Sequence, residues 1–174
     1  MQDVLQRASA IRLLVLDVDG VLTDGRLNFG EAGEVFKSFH TLDGHGIKML
    51  IESGVKVAIL SGRRSGAVER RAADLGIAEV VQGADDKRAQ LEAMLKRMGL
   101  AAGQCAFMGD DLPDLPAMTL CALAATVPGS PDAVKARSHY VTQRGGGDGA
   151  VRELCELIMR AQGTLDAALA RYLE

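Results

Sequence analysis

Short apolar segments alternate with longer amphipathic segments along the chain. Four of the short segments are apolar at almost every position, which is typical of strands in a parallel sheet that is covered on both faces. Two further segments are weaker candidates for strands. We therefore predict strands over residues 11–16, 55–60, 79–82 and 105–108, and weaker ones over 121–126 and 139–142.

The segments between these strands have the hydrophobic spacing of amphipathic helices. In residues 43–54, Ile47, Leu50 and Ile51 share one helical face. The same spacing predicts helices over residues 65–76, 85–99 and 149–163. This alternation predicts an α/β fold, a doubly wound, Rossmann-like parallel sheet with helices on both faces. The length of 174 residues suits one domain over 1–174.

Two segments do not fit the alternation. Residues 26–40 contain the short runs RLNF and EVFKSFH around the turn sequence GEAG, which predicts a projecting β-hairpin. Its aromatic residues could pack on the protein's own sheet or on a neighbouring subunit: Phe29, Phe36 and Phe39. The C-terminal tail, about 163–174, can form a helix and could fray, dock on its own domain or reach a partner.

Composition and charge argue against several classes of protein. The chain is 48% hydrophobic but only 3% aromatic, which predicts an aliphatic core. Its net charge of −3, without a long basic block, argues against a nucleic-acid partner. No apolar run is long enough to span a membrane, and the N-terminus lacks the apolar core of a signal peptide. We expect a soluble cytoplasmic protein whose three cysteines, which have no CxxC spacing, are buried free thiols.

Polar side chains follow four of the predicted strands at their carboxyl ends, where open parallel sheets bind ligands. Because these ends meet at one edge of a sheet, we expect the side chains to lie close together. In chain order they are Asp17 and Asp19, then Ser61, Arg63 and Arg64, then Lys87, and then Asp110, Asp111 and Asp114.

This set of side chains suits phosphoryl transfer. Crowded carboxylates need a cation, and hard oxygen ligands such as those of Asp17 and Asp110 favour Mg²⁺. Asp17 can attack phosphorus to form an aspartyl-phosphate, while Asp19 acts first as an acid and then as a base. Ser61 can donate a hydrogen bond to a phosphoryl oxygen, and Lys87 can offset negative charge. Each residue alone has an ordinary structural interpretation, but their order after successive strands favours the catalytic one.

The stretches DVDGVLTDG, LSGRRS, Lys87 and GDDLPDLPAM resemble, in that order, the four-motif pattern of the haloacid dehalogenase superfamily of phosphohydrolases. The resemblance implies that Asp17 is the nucleophile and Asp19 the general acid and base. It also implies that Ser61 binds the phosphoryl group and that Lys87 stabilises charge.

The same resemblance implies a metal site and the absence of a cap domain. The Mg²⁺ ligands would be Asp17, the backbone carbonyl of Asp19, and Asp110, with Asp111 and Asp114 as supporting acidic residues. Larger members of the superfamily insert a cap between the motifs, but neither gap here has room for one. A capless site is open to water, so we expect a neighbouring subunit to close it.

A finer resemblance covers nearly the whole chain. The stretches FKSFHTLDGHGIKML, HYVTQRGGGDGAVRE and AQG are similar to those of the 3-deoxy-D-manno-octulosonate 8-phosphate phosphatase family. The resemblance implies hydrolysis of that phosphorylated sugar acid in lipopolysaccharide biosynthesis, by a homotetramer whose sites a neighbouring chain completes. The alternatives are a phosphatase for a nine-carbon sialic-type sugar acid phosphate and a non-catalytic phosphoacceptor or oligomerisation module.

Five residues are candidates for contacts with the rest of the substrate: Arg63, Arg64, His40, Asp43 and Arg144. Arg63 or Arg64 could pair with the substrate carboxylate, because guanidinium and carboxylate groups match as two parallel hydrogen bonds. His40 and Asp43 could contact the sugar or have structural roles. Arg144 and the GGGDG run could form an anion-binding turn or a flexible connector. Leu42 stands where many relatives have Arg, and it cannot supply that charge.

Overall fold

A computed structural model of the chain describes residues 1–173, so that Glu174, the last position of the predicted tail, lies outside the described residues. Six strands form a parallel sheet and two form an antiparallel hairpin. The strands are β1 (Leu13–Leu16), β2 (Asn28–Gly30), β3 (Gly33–Phe36), β4 (Lys56–Ser61), β5 (Glu79–Gln82), β6 (Cys105–Met108), β7 (Leu123–Thr126) and β8 (Tyr140–Val141). The sheet order is β5-β4-β1-β6-β7-β8, and β2 and β3 form the hairpin.

Helices cover both faces of the six-stranded sheet. Those that contribute to the core on one face are α1 (Gln2–Ser9), α2 (Thr41–Glu52), α3 (Gly66–Leu75) and α7 (Ala150–Ala161), and α8 (Leu165–Ala170) packs beside α7. Those on the other face are α4 (Lys87–Met98), α5 (Leu115–Met118) and α6 (Asp132–Lys135). Among residues 1–173, no helix combines the length and the hydropathy needed to cross a membrane.

The central strand β1 is apolar throughout because both of its faces are buried. Leu14 and Leu16 pack into the core on one face of the sheet, and Leu13 and Val15 pack into the core on the other face. All four side chains are fully buried. The predicted α/β fold class is therefore confirmed, and the three cysteines are buried free thiols as expected.

Three short helices lie where the sequence analysis predicted none. Helix α1 buries only Val4 and Ala8, so its apolar stripe is too narrow to stand out from its polar surroundings. Helices α5 and α6 are single turns that begin next to prolines, after Asp114 and Pro131. These elements depend on packing against the sheet more than on their own hydrophobic periodicity.

The three phenylalanines of the hairpin region have different environments. Phe39, just after β3, packs against the protein's own core, and the Arg71 guanidinium lies 6.0 Å from its ring centre. Phe29 and Phe36 are more than half exposed, as is Val35, although the Phe29 ring lies against the Arg63 guanidinium. Of the three, Phe39 is the one that packs on the core of its own domain.

The C-terminal tail docks on its own domain, which was one of the three alternatives. Leu165 of α8 is buried in the core, and Arg171 forms an ion pair of 2.7 Å with Glu52 at the end of α2. The Tyr172 ring meets the ring of His45 edge-on, with 5.3 Å between their centres. These contacts join the tail to α2.

Asp43 joins α2 to the start of α7. Its carboxylate accepts hydrogen bonds from the backbone N–H groups of Gly149 at 3.3 Å and of Arg152 at 2.9 Å. These donors belong to the first turn of α7, where backbone N–H groups lack partners within the helix. The side chain is 1% exposed, so Asp43 supplies the cap of α7 from a different helix.

We expect Asp43→Ala to lower the free energy of unfolding by about 2 kcal/mol, because the substitution leaves the first N–H groups of α7 without acceptors. Urea denaturation measures this loss. The matched control is Asp74→Ala, which removes an exposed carboxylate of α3 and should change stability by less than about 0.5 kcal/mol. An increase in KM for substrate without loss of stability would instead indicate the substrate contact that the sequence suggested.

Candidate active site

The turn after β1 presents two carboxylates to one cleft. Asp17 follows the strand directly, and its backbone N–H donates to the Met108 carbonyl at 3.0 Å. The following turn, Val18–Leu22, is closed by a 3.0 Å hydrogen bond from the Thr23 N–H to the Val18 carbonyl. Gly20 has a φ of +93°, and a Cβ there would collide with the Asp110 carboxylate. The close approach of this turn to Asp110 therefore requires glycine.

Lys87 lies between two buried carboxylates. It is the first residue of α4, and its Nζ is 2.7 Å from an Asp17 oxygen and 2.5 Å from an Asp114 oxygen. Burial alone would lower the pKa of Lys87, but the two carboxylates outweigh it and raise the pKa. The side chain is only 7% exposed, which rules out a solvated lysine on the helix surface.

Asp114 has both oxygens occupied. One oxygen accepts from Lys87, and the other accepts from the backbone N–H groups of Asp110 at 3.0 Å and Asp111 at 3.2 Å. The Asp111 carboxylate accepts from the N–H of Leu112 at 2.7 Å and caps the 3₁₀ turn Leu112–Asp114, which precedes α5. Asp114 thus shapes the loop after β6 and fixes Lys87.

The arrangement of carboxylates fits a divalent cation. Oxygen atoms of Asp17, Asp110 and Asp114 lie within 4.8 Å of one another. The buried Oδ1 of Asp110 has no hydrogen-bond partner among residues 1–173, although a buried carboxylate oxygen normally has one. Because both oxygens of Asp114 are engaged, Asp17 and Asp110 are the side chains with capacity for a metal. The crowded, oxygen-only donor set suits Mg²⁺.

Crowding also changes the protonation of this site. Burial raises the pKa of Asp17 to about 6, assisted by the nearby charge of Asp114 and opposed by Lys87. Burial and the charge of Asp17 raise the pKa of Asp110 to about 7. A bound divalent cation would favour the ionised form of both groups and reverse these shifts.

Most of the predicted site residues meet in one cleft of about 440 Å³. Its lining includes Asp17, Asp19, Ser61, Arg63, Lys87, Asp110, Asp111 and Asp114. Ser61 ends β4, is 3% exposed, and accepts a 3.3 Å hydrogen bond from the N–H of Arg63. The residue that precedes α3 is Ser65, so Ser61 is not a helix cap. Parallel strand ends therefore bring the chemistry-bearing residues together as the sequence predicted.

Four predicted substrate contacts lie outside the lining of this cleft: His40, Asp43, Arg64 and Arg144. His40 precedes α2, and its Nδ1 accepts from the N–H of Leu42 at 3.2 Å. Asp43 is buried as the cap of α7. For Asp43 the structure favours the structural alternative, because both carboxylate oxygens accept from backbone N–H groups. His40 has only Nδ1 engaged in this way, and its Nε2 lies 3.9 Å from an Asp148 oxygen.

The two arginines have different surroundings. The Arg64 side chain packs against Gly83, with its Nε 2.6 Å from the position that a Cβ there would take. Arg144 lines a separate groove of about 450 Å³ that also includes Leu42 and Arg152. Neither Arg64 nor Arg144 lines the cleft that holds Lys87, and their contacts with the substrate stay predictions.

The glycine run of residues 145–147 supports the turn after β1. The Gly147 N–H donates to the Val21 carbonyl at 3.0 Å, and a Cβ on Gly146 would collide with the Gly20 carbonyl. The Glu153 carboxylate holds the start of this loop by accepting from the N–H groups of Gln143 at 2.9 Å and Arg144 at 3.1 Å. The run thus supports this turn through its backbone, and its role as an anion-binding turn stays a prediction.

The sequence analysis missed Lys37, which follows β3. Its Nζ forms ion pairs with Asp19 and with Glu34, the latter at 3.1 Å. Glu34 in turn accepts a hydrogen bond from the Ser65 hydroxyl. A lysine between aromatic positions of a hairpin carries no signal that it faces a strand end elsewhere in the chain. Only the way the hairpin folds back over the cleft reveals this contact.

Comparison with known proteins gives a consistent family assignment. A family model for haloacid dehalogenase-like hydrolases matches residues 38–120. The chain is 45% identical to the 3-deoxy-D-manno-octulosonate 8-phosphate phosphatase KdsC of Yersinia pestis over 166 residues, which cover 95% of this chain and 89% of that protein. Curated proteins of that name thus match almost the entire chain.

Two solved structures are also very similar. One is a probable yrbi family phosphatase from Pseudomonas syringae, with 52% identity, a TM-score of 0.98, and coverage of 100% of this chain and 99% of that one. The other is the 3-deoxy-D-manno-octulosonate 8-phosphate phosphatase from Moraxella catarrhalis in complex with magnesium, phosphate and KDO. It has 42% identity and a TM-score of 0.97, and the match covers 99% of each chain.

We expect Mg²⁺ to stabilise the protein more at pH 8 than at pH 5. The folded-state pKa values of Asp17 and Asp110 lie above the usual value of 3.8, so the metal-free folded protein binds more protons than the unfolded chain between about pH 4 and 7. Metal-free stability should therefore fall as pH rises through that window, and Mg²⁺ should restore it once the carboxylates are ionised.

Thermal unfolding with Mg²⁺ and with a chelator, at both pH values, measures this effect. The shift in Tm on adding Mg²⁺ should be larger at pH 8 by about 5 °C or more. Asp110→Asn is the matched control, since it removes one of these carboxylates and should reduce the difference. Equal shifts at both pH values in the unaltered protein would contradict a metal site on these residues.

Proposed function

The chain belongs to the 3-deoxy-D-manno-octulosonate 8-phosphate phosphatases, within the haloacid dehalogenase-like hydrolases, and on this basis we propose how it acts. It hydrolyses 3-deoxy-D-manno-octulosonate 8-phosphate to the free sugar acid and phosphate, with Mg²⁺ as cofactor, in lipopolysaccharide biosynthesis. The observation that carries this proposal is the meeting of Asp17, Asp19, Ser61 and Lys87 in one cleft beside the partnerless oxygen of Asp110.

Asp17 is the proposed nucleophile. Lys87 holds its carboxylate from one side at 2.7 Å, which limits its rotation and offsets its charge as a phosphate dianion approaches. An Asp17 oxygen forms a bond to phosphorus as the bond from phosphorus to the sugar oxygen breaks. The product of this step is an aspartyl-phosphate and the free sugar acid.

Asp19 is the proposed proton carrier in both steps. Its carboxyl group gives a proton to the departing sugar oxygen, and the resulting carboxylate then accepts a proton from water as the water attacks phosphorus. The second step releases phosphate and regenerates Asp17. Ser61 lies at the end of β4 beside the same cleft, where its hydroxyl can donate to a phosphoryl oxygen.

Mg²⁺, when bound, supplies positive charge that neutralises the carboxylates and the transferring phosphoryl group. Asp17, the backbone carbonyl of Asp19, and Asp110 would hold it, with Asp114 and Asp111 fixing the loop that carries Asp110. The partnerless Oδ1 of Asp110 supports this assignment.

Arg63 is the proposed partner of the substrate carboxylate. It lines the cleft, and its side chain remains 48% exposed and therefore accessible. Its guanidinium lies 5.7 Å from the centre of the Phe29 ring, which helps to orient the charged group. A guanidinium can hold a carboxylate through two parallel hydrogen bonds, which suits a sugar-acid substrate.

We propose that the active form is a homotetramer of single capless domains in the cytoplasm, with each site completed by a neighbouring chain. Phe29, Val35 and Phe36 are exposed apolar side chains of the hairpin. Val35 and Phe36 are consecutive in β3 and therefore point to opposite faces of the strand, so the hairpin exposes apolar groups on both faces. Several exposed apolar groups on one element are typical of a protein interface. Phe29 lies against Arg63 of the cleft, which supports the view that a second chain covers the hairpin and the cleft together.

The substrate class is tested by steady-state kinetics on a panel of sugar-acid phosphates, with Mg²⁺ present and with Mg²⁺ chelated. We expect the highest kcat/KM for the eight-carbon acid phosphate and loss of turnover without the metal. Asp17→Asn is the control and should reduce turnover at least about 1,000-fold while the protein stays folded. A higher kcat/KM for a nine-carbon sialic-type phosphate would show that this compound is the preferred substrate. Substantial turnover by Asp17→Asn would refute the mechanism.

Light scattering tests the assembly. The double substitution Phe29→Ser and Phe36→Ser removes the two exposed aromatic side chains of the hairpin and should convert the protein to smaller species, because the interface loses most of its apolar area. Val141→Ser, an exposed apolar position on β8, is the matched control and should leave the mass unchanged. A native protein that is monomeric at full activity would exclude a shared site.

A further inference from the structure

Lys37 is a buried cation with two carboxylate partners at the edge of the cleft. Its side chain is 2% exposed, and its Nζ pairs with Oδ1 of Asp19 and with Oε2 of Glu34. A buried ammonium group is costly unless ion pairs and hydrogen bonds replace its hydration. Lys37 therefore depends on Asp19 and Glu34 to replace the hydration of its ammonium group.

The hairpin that carries Lys37 is held against the loop that follows β4. Glu34 of β3 accepts a hydrogen bond from the Ser65 hydroxyl, next to the start of α3. Phe29 of β2 lies against the guanidinium of Arg63. These contacts fix the hairpin relative to the end of β4, so the position of the Lys37 ammonium group is determined by the fold.

Lys37 is a fixed donor to Asp19. Its Nζ lies between a carboxylate oxygen of Asp19 and one of Glu34, and an ammonium group offers three N–H donors and no acceptor. Lys37 therefore donates to Asp19 and does not itself exchange protons with the substrate.

We propose that Lys37 is a positioning residue that holds the Asp19 carboxyl group in the orientation needed for proton transfer to the leaving oxygen. The inference rests on the proposed role of Asp19 as general acid and base. Lys37 occupies Oδ1, which leaves Oδ2 as the oxygen that carries the proton. The Nε of Arg63 is 3.8 Å from Oδ2, beyond hydrogen-bond distance, so Arg63 does not replace Lys37 in this contact.

The proton moves in the following way. As the Asp17 oxygen bonds to phosphorus, the proton on Oδ2 of Asp19 goes to the sugar oxygen whose bond to phosphorus breaks. In the second step, Oδ2 accepts a proton from the attacking water. Lys37 keeps all its protons throughout. It acts by preventing the Asp19 side chain, which is 19% exposed, from turning toward solvent.

Leaving groups that differ in their need for a proton provide the test. In Lys37→Met, kcat/KM for glycerol phosphate and for the sugar-acid phosphate should fall about 30-fold, since a well-placed general acid contributes about 10²–10⁴-fold. For 4-nitrophenyl phosphate, whose leaving group departs as an anion, the fall should be less than about 3-fold. The inhibition constant of inorganic phosphate should stay the same within about 2-fold, because phosphate binding does not use Asp19 as an acid.

A double-mutant cycle supplies the second measurement. If Lys37 acts through Asp19, adding Lys37→Met to Asp19→Asn should cause no further loss with glycerol phosphate. Lys135→Met is the matched control, because Lys135 pairs with Asp132 at 3.7 Å on the far helix α6 and should leave all constants unchanged. Lys37→Gln serves as the second variant if Lys37→Met does not fold by circular dichroism.

Equal losses on both kinds of leaving group, or additive losses in the cycle, would overturn the inference, because a residue that merely supports the fold would produce them. The proposed substrate is decided separately, since glycerol phosphate contains the alkyl leaving oxygen but not the sugar acid. If the native protein hydrolyses glycerol phosphate but not the sugar-acid phosphate, the proposed substrate is refuted, while the role of Lys37 can still be measured.

Discussion

The ion pairs of Lys87 hold the site together. Asp17 and Asp114 come from the loops after two adjacent strands, β1 and β6, and would repel each other if both were ionised without a cation between them. Lys87 reaches this position because it is the first residue of α4, where the Asp86 side chain accepts from the N–H of Ala89 at 3.0 Å. The position at which α4 begins thus allows Asp17 and Asp114, which follow β1 and β6, to lie close together.

Lys87 offsets only part of the negative charge. The pKa of Asp17 and the pKa of Asp110 both remain raised, which shows that burial and mutual repulsion exceed the stabilisation from one ammonium group. The protein tolerates this imbalance at a position where a divalent cation and a phosphate later bind. The carboxylate cluster therefore lowers the stability of the folded protein, and the charge of the site is balanced only when the cation is bound.

The sheet and the centre of the site could be predicted from the sequence because each depends on local pattern. Apolar runs define the parallel strands, and the pairing of Leu16 with Met108 places the residues that follow them side by side. The contacts of Asp43 and Lys37 could not be predicted in the same way. Asp43 caps a helix far along the chain, and Lys37 depends on how the hairpin folds back over the cleft. Neither relation leaves a periodic signal, because both arise from tertiary packing.

The loop that contains Gly146 packs directly on the carbonyl of Gly20, and Gly20 packs on the Asp110 carboxylate. Three segments from separate parts of the sequence thus meet at the backbone of Gly20, with no side chain of Gly20 or Gly146 to hold them apart. Aliphatic residues in the core can often be exchanged for others of similar volume at small cost. At these two loop positions even one added methyl group would separate the segments. The protein therefore tolerates substitution less well at Gly20 and Gly146, which lie in loops, than at many positions of its hydrophobic core.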